Sequence, residues 1–548
     1  MDAAAPSHFA GRQARWRVLA PAGPRPTERS IMNKHLKSLY CLGAMLVVVG
    51  GGTAWALPPV EAVSPCPGNG GPEESGQTSV TEHRFAAGGK NFSYTAKAGT
   101  MVIRDKAGHP TAEIGYTSYA RPSVKGGAVR PVIFAFNGGP GSSSVWLHVG
   151  MLGPKRVEAN DAGPTPLSRL KVVDNPSTML DKADLVLIDP VGTGFGRAIC
   201  GKKDNDFWSV DADAESIGRF ITQYLGQNDL WAAPKYILGE SYGTIRAAVV
   251  LNWLRSQRVS FNGVIMLGIA TDIEIIHTQL PGNDRPYPVF VPGFAAAAWY
   301  HKLVPASSGP LEPFLEEARR FALGPYAAAL LRGNALPDAE FDAIAREMAR
   351  FTGLSVEYVK ASNLRVSEFA YGQEAMRARG KTISRLDSRY VGDTQDTTQK
   401  LVDYDPILSF LGTAYTTAFN DYYRRDLKVG IDRSYNILND DAGWKFDMTH
   451  QPIGAPPDYA QPIVNANVDL ATVMTQDPNL RMLVLAGYFD LGSTFTAAEY
   501  MVAHIQMPQS AQSRISMKYY MSGHMIYAHE PSLRQMKKDI DQFMAAGQ

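Results

Sequence analysis

Ser241 lies in Gly239-Glu240-Ser241-Tyr242-Gly243, the one Gly-x-Ser-x-Gly in a chain of 548 residues. An apolar run at 236–238 precedes it, and a helix-forming stretch from Thr244 follows. Strand, tight turn and helix make the setting of a nucleophile elbow, which lifts a serine hydroxyl to the C-terminal edge of a sheet. The turn has no room for side chains on its flanks, hence a glycine on each side. The chemistry on offer is attack on an acyl carbon. A serine hydroxyl does this poorly unless a base takes its proton and an acid holds the base.

At such an elbow the chain order is serine, acid, histidine. Only His504, His524 and His529 follow a late strand-end acid. Asp490 comes just after the apolar run 482–486, and His524 just after the mixed run 515–521. Both therefore fall at strand C-terminal ends, the edge that carries Ser241. His504 lies within a helical stretch, 497–505, and reads as a surface or core histidine. His529 lies farther into the last loop and is the alternative base. The expected triad is Ser241, Asp490 and His524.

The negative oxygen formed by attack needs N–H donors aimed at one point. Asn137-Gly138-Gly139-Pro140-Gly141-Ser142-Ser143-Ser144 follows the apolar run 131–136, and its glycines let backbone approach a substrate closely. The expected donors are the N–H groups of Gly139 and of Tyr242, the residue after the nucleophile. No Gly-Lys-Ser/Thr follows, so this is not a Walker loop, and no HExxH or CxxC spacing occurs. No cofactor and no metal are expected.

Short continuous apolar runs at 131–136, 185–188, 236–238, 264–267 and 482–486 read as strands buried on both faces. Helical stretches between them, 211–225 and 244–257, argue a mostly parallel α/β sheet. Alternating stretches at 92–96, 101–103 and 112–116 read as antiparallel edge strands. More than 200 residues separate the runs 264–267 and 482–486, far more than one crossover needs. Helix-period segments at 311–323, 337–351 and 366–379 make residues 285–450 a helical cap insertion. The expected core is 81–284 and 451–548.

Composition is ordinary globular, with 45% apolar and 20% charged residues. Residues 32–56 read as a secretory signal: Lys34 and Lys37, an apolar run at 39–49 too short to span a bilayer, then Ala54-Trp55-Ala56. An Arg-rich extension, 1–31, precedes it, and Met32 is a candidate start. A Pro- and Gly-rich linker, 57–80, follows. Residues 1–56 hold seven basic and two acidic residues, so their removal turns a net charge of +1 into −4. Neither value draws the protein to nucleic acid. No later stretch reads as a membrane span, and secretion or a periplasmic location is expected. Cys66 and Cys200 are either one disulfide or two free thiols.

Four blocks together resemble the serine carboxypeptidase family of α/β-hydrolases. They are Asn137 to Ser144, Asp189-Pro190-Val191-Gly192-Thr193-Gly194-Phe195, Gly239 to Gly243, and Gly523-His524-Met525, in the family's order. The resemblance implies the triad Ser241, Asp490, His524 and an oxyanion hole at Gly139 and Tyr242. It also implies that Asn137 and Glu240 hydrogen-bond the C-terminal carboxylate of a peptide substrate, with the insertion forming part of the cleft. Relatives that act on esters or transfer acyl groups share the triad. Three departures from the family pattern stand out: Ala135 where Trp is common, Tyr488 where Asp is common, and Ile526-Tyr527 where the family has Val-Pro.

Overall fold

The computed structural model describes residues 76–122 and 129–547. The extension 1–31, the signal 32–56, most of the linker 57–80 and Cys66 lie outside the described residues. Cys200 is disulfide-bonded.

Strands β1 (Thr78–Ala87), β2 (Lys90–Arg104) and β3 (Pro110–Ala120) form an antiparallel meander at one side of a ten-stranded sheet. The runs 92–96 and 101–103 belong to one strand rather than two. The first part of β2 pairs with β1 and the second with β3, so the chain stays extended throughout. Six further strands follow: β4 (Val132–Phe136), β5 (Asp184–Asp189), β6 (Lys235–Glu240), β7 (Gly263–Leu267), β8 (Arg481–Gly487) and β9 (Ile515–Tyr520). The spatial order is β1-β2-β3-β5-β4-β6-β7-β8-β9, with a two-residue strand, Arg197–Ala198, beside β3. Every neighbouring pair from β5 to β9 is parallel, and β3 meets β5 antiparallel.

The continuous apolar runs have a direct cause. In β4, Val132, Phe134 and Phe136 enter one core, and Ile133 and Ala135 enter the other. In β8, Met482, Val484 and Ala486 divide from Leu483 and Leu485 in the same way. A strand alternates faces, so a sheet covered on both sides requires apolar residues at every position.

Helices α1 (Val210–Gln227) and α2 (Tyr242–Ser256) flank the central strands. Between β7 and β8 the chain is largely helical, with α3 (Pro286–Tyr300), α4 (Leu311–Phe321), α5 (Asp338–Thr352) and α6 (Pro406–Arg425). Two elements differ from the sequence reading. Helix α3 has no polar face, because it is enclosed by α4, α5 and the helix Phe495–Ala503, and so shows no helical period. The stretch 366–379 is only partly helical: Glu368–Glu374 is a helix, and a short turn at Arg377–Arg379 ends on left-handed Gly380. This is an α/β-hydrolase fold with a mostly parallel sheet and a largely helical insertion. Among the described residues no helix is long and apolar enough to cross a membrane.

Candidate active site

Ser241 joins β6 to α2 with φ 61° and ψ −130°. A non-glycine residue pays strain for that conformation, so its surroundings must impose it. The Ser241 N–H donates to the Leu267 carbonyl at 3.0 Å, and its own carbonyl accepts from the Thr244 N–H at 2.8 Å and hydroxyl at 2.7 Å. A Cβ at Gly239 would lie 2.0 Å from the Gly243 carbonyl oxygen, which explains the glycine before the serine. Ser241 stays partly exposed while Glu240 and Tyr242 are buried.

Asp490 and His524 follow β8 and β9, and the fold brings them together. His524 Nδ1 lies 2.7 Å from Asp490 Oδ2. The same carboxylate accepts from the N–H groups of Gly492 and Ser493 at 2.7 and 2.9 Å and from the Ser493 hydroxyl at 3.0 Å. Asp490 is completely buried, and these donors replace the water it has lost. His524 Nε2 is buried with no hydrogen-bond partner among the described residues. Burial opposes charging His524, but the charge and hydrogen bond of Asp490, then the charge of Glu240, outweigh it and raise its pKa above 6.5.

A segment of the insertion is threaded between these two loops, a contact that no local sequence pattern announces. The Leu386 carbonyl accepts from the His524 N–H at 2.6 Å, and the Arg385 carbonyl accepts from the Leu491 N–H at 2.9 Å. Asp387 accepts from the Gly523 N–H at 3.1 Å and is paired with buried Arg389 at 2.6 Å. The insertion therefore braces the acid and the base.

Asn137 and Glu240 are adjacent. The Asn137 amide donates to Glu240 Oε2 at 2.6 Å, and Asn137 Oδ1 accepts from the Leu147 N–H at 3.0 Å. Burial pushes the Glu240 carboxyl up to about 7; His524, Tyr527 and Asn137 pull it down, and Asp490 pushes it up. Tyr527 was noted in the sequence only as a departure from pattern, yet its hydroxyl lies 3.0 and 3.1 Å from the two Glu240 oxygens.

The loop from Asn137 to Gly141 passes directly over the elbow, since a Cβ at Gly138 would be 2.5 Å from the Tyr242 nitrogen. Gly139 is exposed there, and neither its N–H nor that of Tyr242 has a protein acceptor among the described residues. Beneath them Arg246, buried, donates to the Asn137 carbonyl at 2.5 Å and to Asp213 at 2.7 Å. That pair joins α1, α2 and the loop. An Arg four residues after Tyr242 on an apolar helix was the available signal for it.

His529 lies away from this arrangement: its Nδ1 contacts the Ser532 hydroxyl at 2.7 Å, at the start of the last helix, Glu530–Ala545. His504 ends the helix Phe495–Ala503 and stacks on Tyr500 at 3.8 Å. Ala135 is fully buried in the apolar cluster that also holds Trp146, Tyr415 and Tyr527. Tyr488 packs on Tyr519 and Phe495. Among the described residues no group of three or more His, Cys, Asp or Glu could hold a metal ion.

Residues 118–263 match the family model described as serine carboxypeptidase. No curated protein sequence matches the chain. Among solved structures, the chain is similar to Kex1ΔP, a prohormone-processing carboxypeptidase from Saccharomyces cerevisiae, at 16% identity and a TM-score of 0.49, over 82% of this chain and 91% of that one. It is also similar to proline iminopeptidase from Mycobacterium smegmatis, at 11% identity and a TM-score of 0.33, over 82% and 98%.

Proposed function

The chain carries the serine carboxypeptidase family's match over residues 118–263, and from that premise we propose a serine carboxypeptidase that releases C-terminal residues through an acyl-enzyme. The observation that carries the choice of substrate is the 2.6 Å contact between Asn137 and Glu240, one residue before Ser241. A buried carboxyl with a pKa of about 7 is neutral over much of the useful pH range. It can then donate to a substrate carboxylate, beside the second hydrogen of the Asn137 amide.

The proposed reaction uses this arrangement. Ser241 Oγ attacks the carbonyl carbon of the last peptide bond, and its proton passes to His524 Nε2. Asp490 holds Nδ1–H, so Nε2 is the free, basic nitrogen. The carbonyl oxygen takes up the negative charge and accepts from the Gly139 and Tyr242 N–H groups. When the C–N bond breaks, its electrons go to nitrogen, which takes the proton from His524. The C-terminal amino acid leaves, and Ser241 remains as an ester. Water then attacks that ester, gives a proton to His524, and the proton returns to Ser241 as the shortened peptide departs.

The test pairs a blocked dipeptide with its C-terminal amide, with and without a serine-reactive phosphonate. Hydrolysis of the acid in strong preference to the amide, abolished by a phosphonate adduct on Ser241, is the expected result. Adduct formation with ester turnover but no peptide hydrolysis would overturn the peptidase reading in favour of an esterase or acyltransferase.

A further inference from the structure

Tyr527 follows the His524 loop in the short turn Ile526–Ala528. Its ring is buried, and its hydroxyl sits almost equally far from the two Glu240 oxygens. The ring is seated by a specific fit: a Cβ at Gly150 would lie 2.7 Å from two Tyr527 ring carbons and 2.9 Å from the Tyr415 hydroxyl. Glycine at 150 is therefore what lets an aromatic ring occupy this place. Tyr527 and Gly150 also line a cavity of about 780 Å³ with Tyr415, Leu411 and Arg156.

We propose that Tyr527 is a positioning residue for Glu240, holding the plane of the carboxyl that faces the substrate's C-terminal carboxylate. The proposal rests on the reading of Asn137 and Glu240 as the carboxylate-binding pair. Asn137 donates to Oε2, so the proton of neutral Glu240 belongs on Oε1, the oxygen left to donate outward. The Tyr527 hydroxyl restrains rotation of the carboxyl by reaching both oxygens. Burial, then the charge of Glu240, pushes the Tyr527 hydroxyl well above its usual pKa, so it remains an O–H donor.

Tyr527 also tunes when Glu240 loses its proton. The groups facing Glu240 come from every side: Asn137 from the loop after β4, Tyr415 from α6, Asp490 and His524 from the loops after β8 and β9, and Tyr527. An O–H donor stabilises the ionised carboxylate, so Tyr527 lowers the Glu240 pKa against the effect of burial.

The experiment measures KM against pH for a peptide acid and its amide, in wild type, Tyr527→Phe and Gly150→Ala, with folding followed by thermal melting. In wild type, KM for the acid should climb once pH passes about 7, the Glu240 value. Tyr527→Phe keeps the ring and deletes only the donor, and should move that climb up by about one pH unit, the scale expected for one hydrogen bond to a charged group. Gly150→Ala keeps the hydroxyl but displaces the ring, and should move the climb in the same direction. A climb at the wild-type pH in a folded Tyr527→Phe protein overturns the proposal. Should Tyr527→Phe fail to fold, an unmoved climb in Gly150→Ala overturns it. Equal KM values for acid and amide in wild type would instead sink the carboxylate reading itself.

Discussion

His524 Nδ1 is 2.7 Å from Asp490 Oδ2, and Asp490 is held in turn by three donors from Gly492 and Ser493. An ionised Asp490 can only accept, so Nδ1 must carry the hydrogen and Nε2 must be the free base. Asp490→Asn keeps the shape but offers an N–H₂ to Nδ1, which favours the wrong tautomer. A fall in kcat on the order of 10⁴-fold is expected, with little change in melting temperature. Steady-state ester hydrolysis measures it. His529→Ala, by contrast, should cost no more than about 1 kcal/mol of stability through the lost contact to Ser532 and leave kcat within a few-fold. Equal losses for His529→Ala and His524→Ala would leave the base unassigned.

The direction of the His524 shift sets the pH response of substrates without a carboxylate. Its pKa is raised, so the neutral imidazole becomes the major form only above the ordinary 6.5. The ester kcat/KM should therefore rise with pH along a limb centred above 6.5. At acid pH only a small neutral fraction of His524 is then available to accept the Ser241 proton. Replacing Glu240 by Gln removes a charge that raises the His524 pKa, so this limb should shift to lower pH. An ester limb below 6.5 in wild type would contradict the arrangement.

Asn137→Ala removes the amide that meets Glu240 and, in the proposed reading, the substrate carboxylate. One charge-assisted hydrogen bond is worth about 1.5–3 kcal/mol, so kcat/KM for peptide acids should fall roughly 10- to 150-fold. Simple esters should lose much less. Equal losses on both would mean that Asn137 chiefly shapes the loop, through its contact to the Leu147 N–H.

His450 links the end of the insertion to the core. Its Nδ1 lies 2.6 Å from Asp211 and its Nε2 2.9 Å from Asp469, with the imidazole fully buried. Burial works against its charge, but the hydrogen bonds and charges of Asp211 and Asp469 outweigh it and hold its pKa up at about 9. A raised pKa means stability that is fully present below the unfolded value of about 6.5 and lost as pH climbs through about 9. Asp211 is partly exposed, so solvent screening limits the gain to about 2 kcal/mol. Wild-type melting temperature should drop between pH 6.5 and 9, and His450→Gln should flatten that drop. An unchanged slope in His450→Gln would show the contacts to be neutral.

The sequence was readable where one rule acted locally. Val132–Phe136 and Arg481–Gly487 declared themselves as buried strands because both faces of the sheet are covered. Ser241, Asp490 and His524 stood out because chain order and strand ends place such residues. Helix α3 was hidden because burial on all sides erases its period. The bracing of His524 by Leu386 could not be read, and Arg246 showed only as a charge on an apolar helix without its partner Asn137, because those contacts join residues more than 100 positions apart. Tyr527 was visible only as an exception. Its contact with Glu240 depends on Gly150, which no local pattern connects to either residue.

The most direct measurement follows an unblocked peptide by mass spectrometry over time, alongside the same peptide with a C-terminal amide. Wild type should shorten the acid one residue at a time from its C-terminus and leave the amide nearly untouched, and Ser241→Ala should do neither. Internal cleavage, or equal loss from acid and amide, would contradict a serine carboxypeptidase that reads the terminal carboxylate through Asn137 and Glu240.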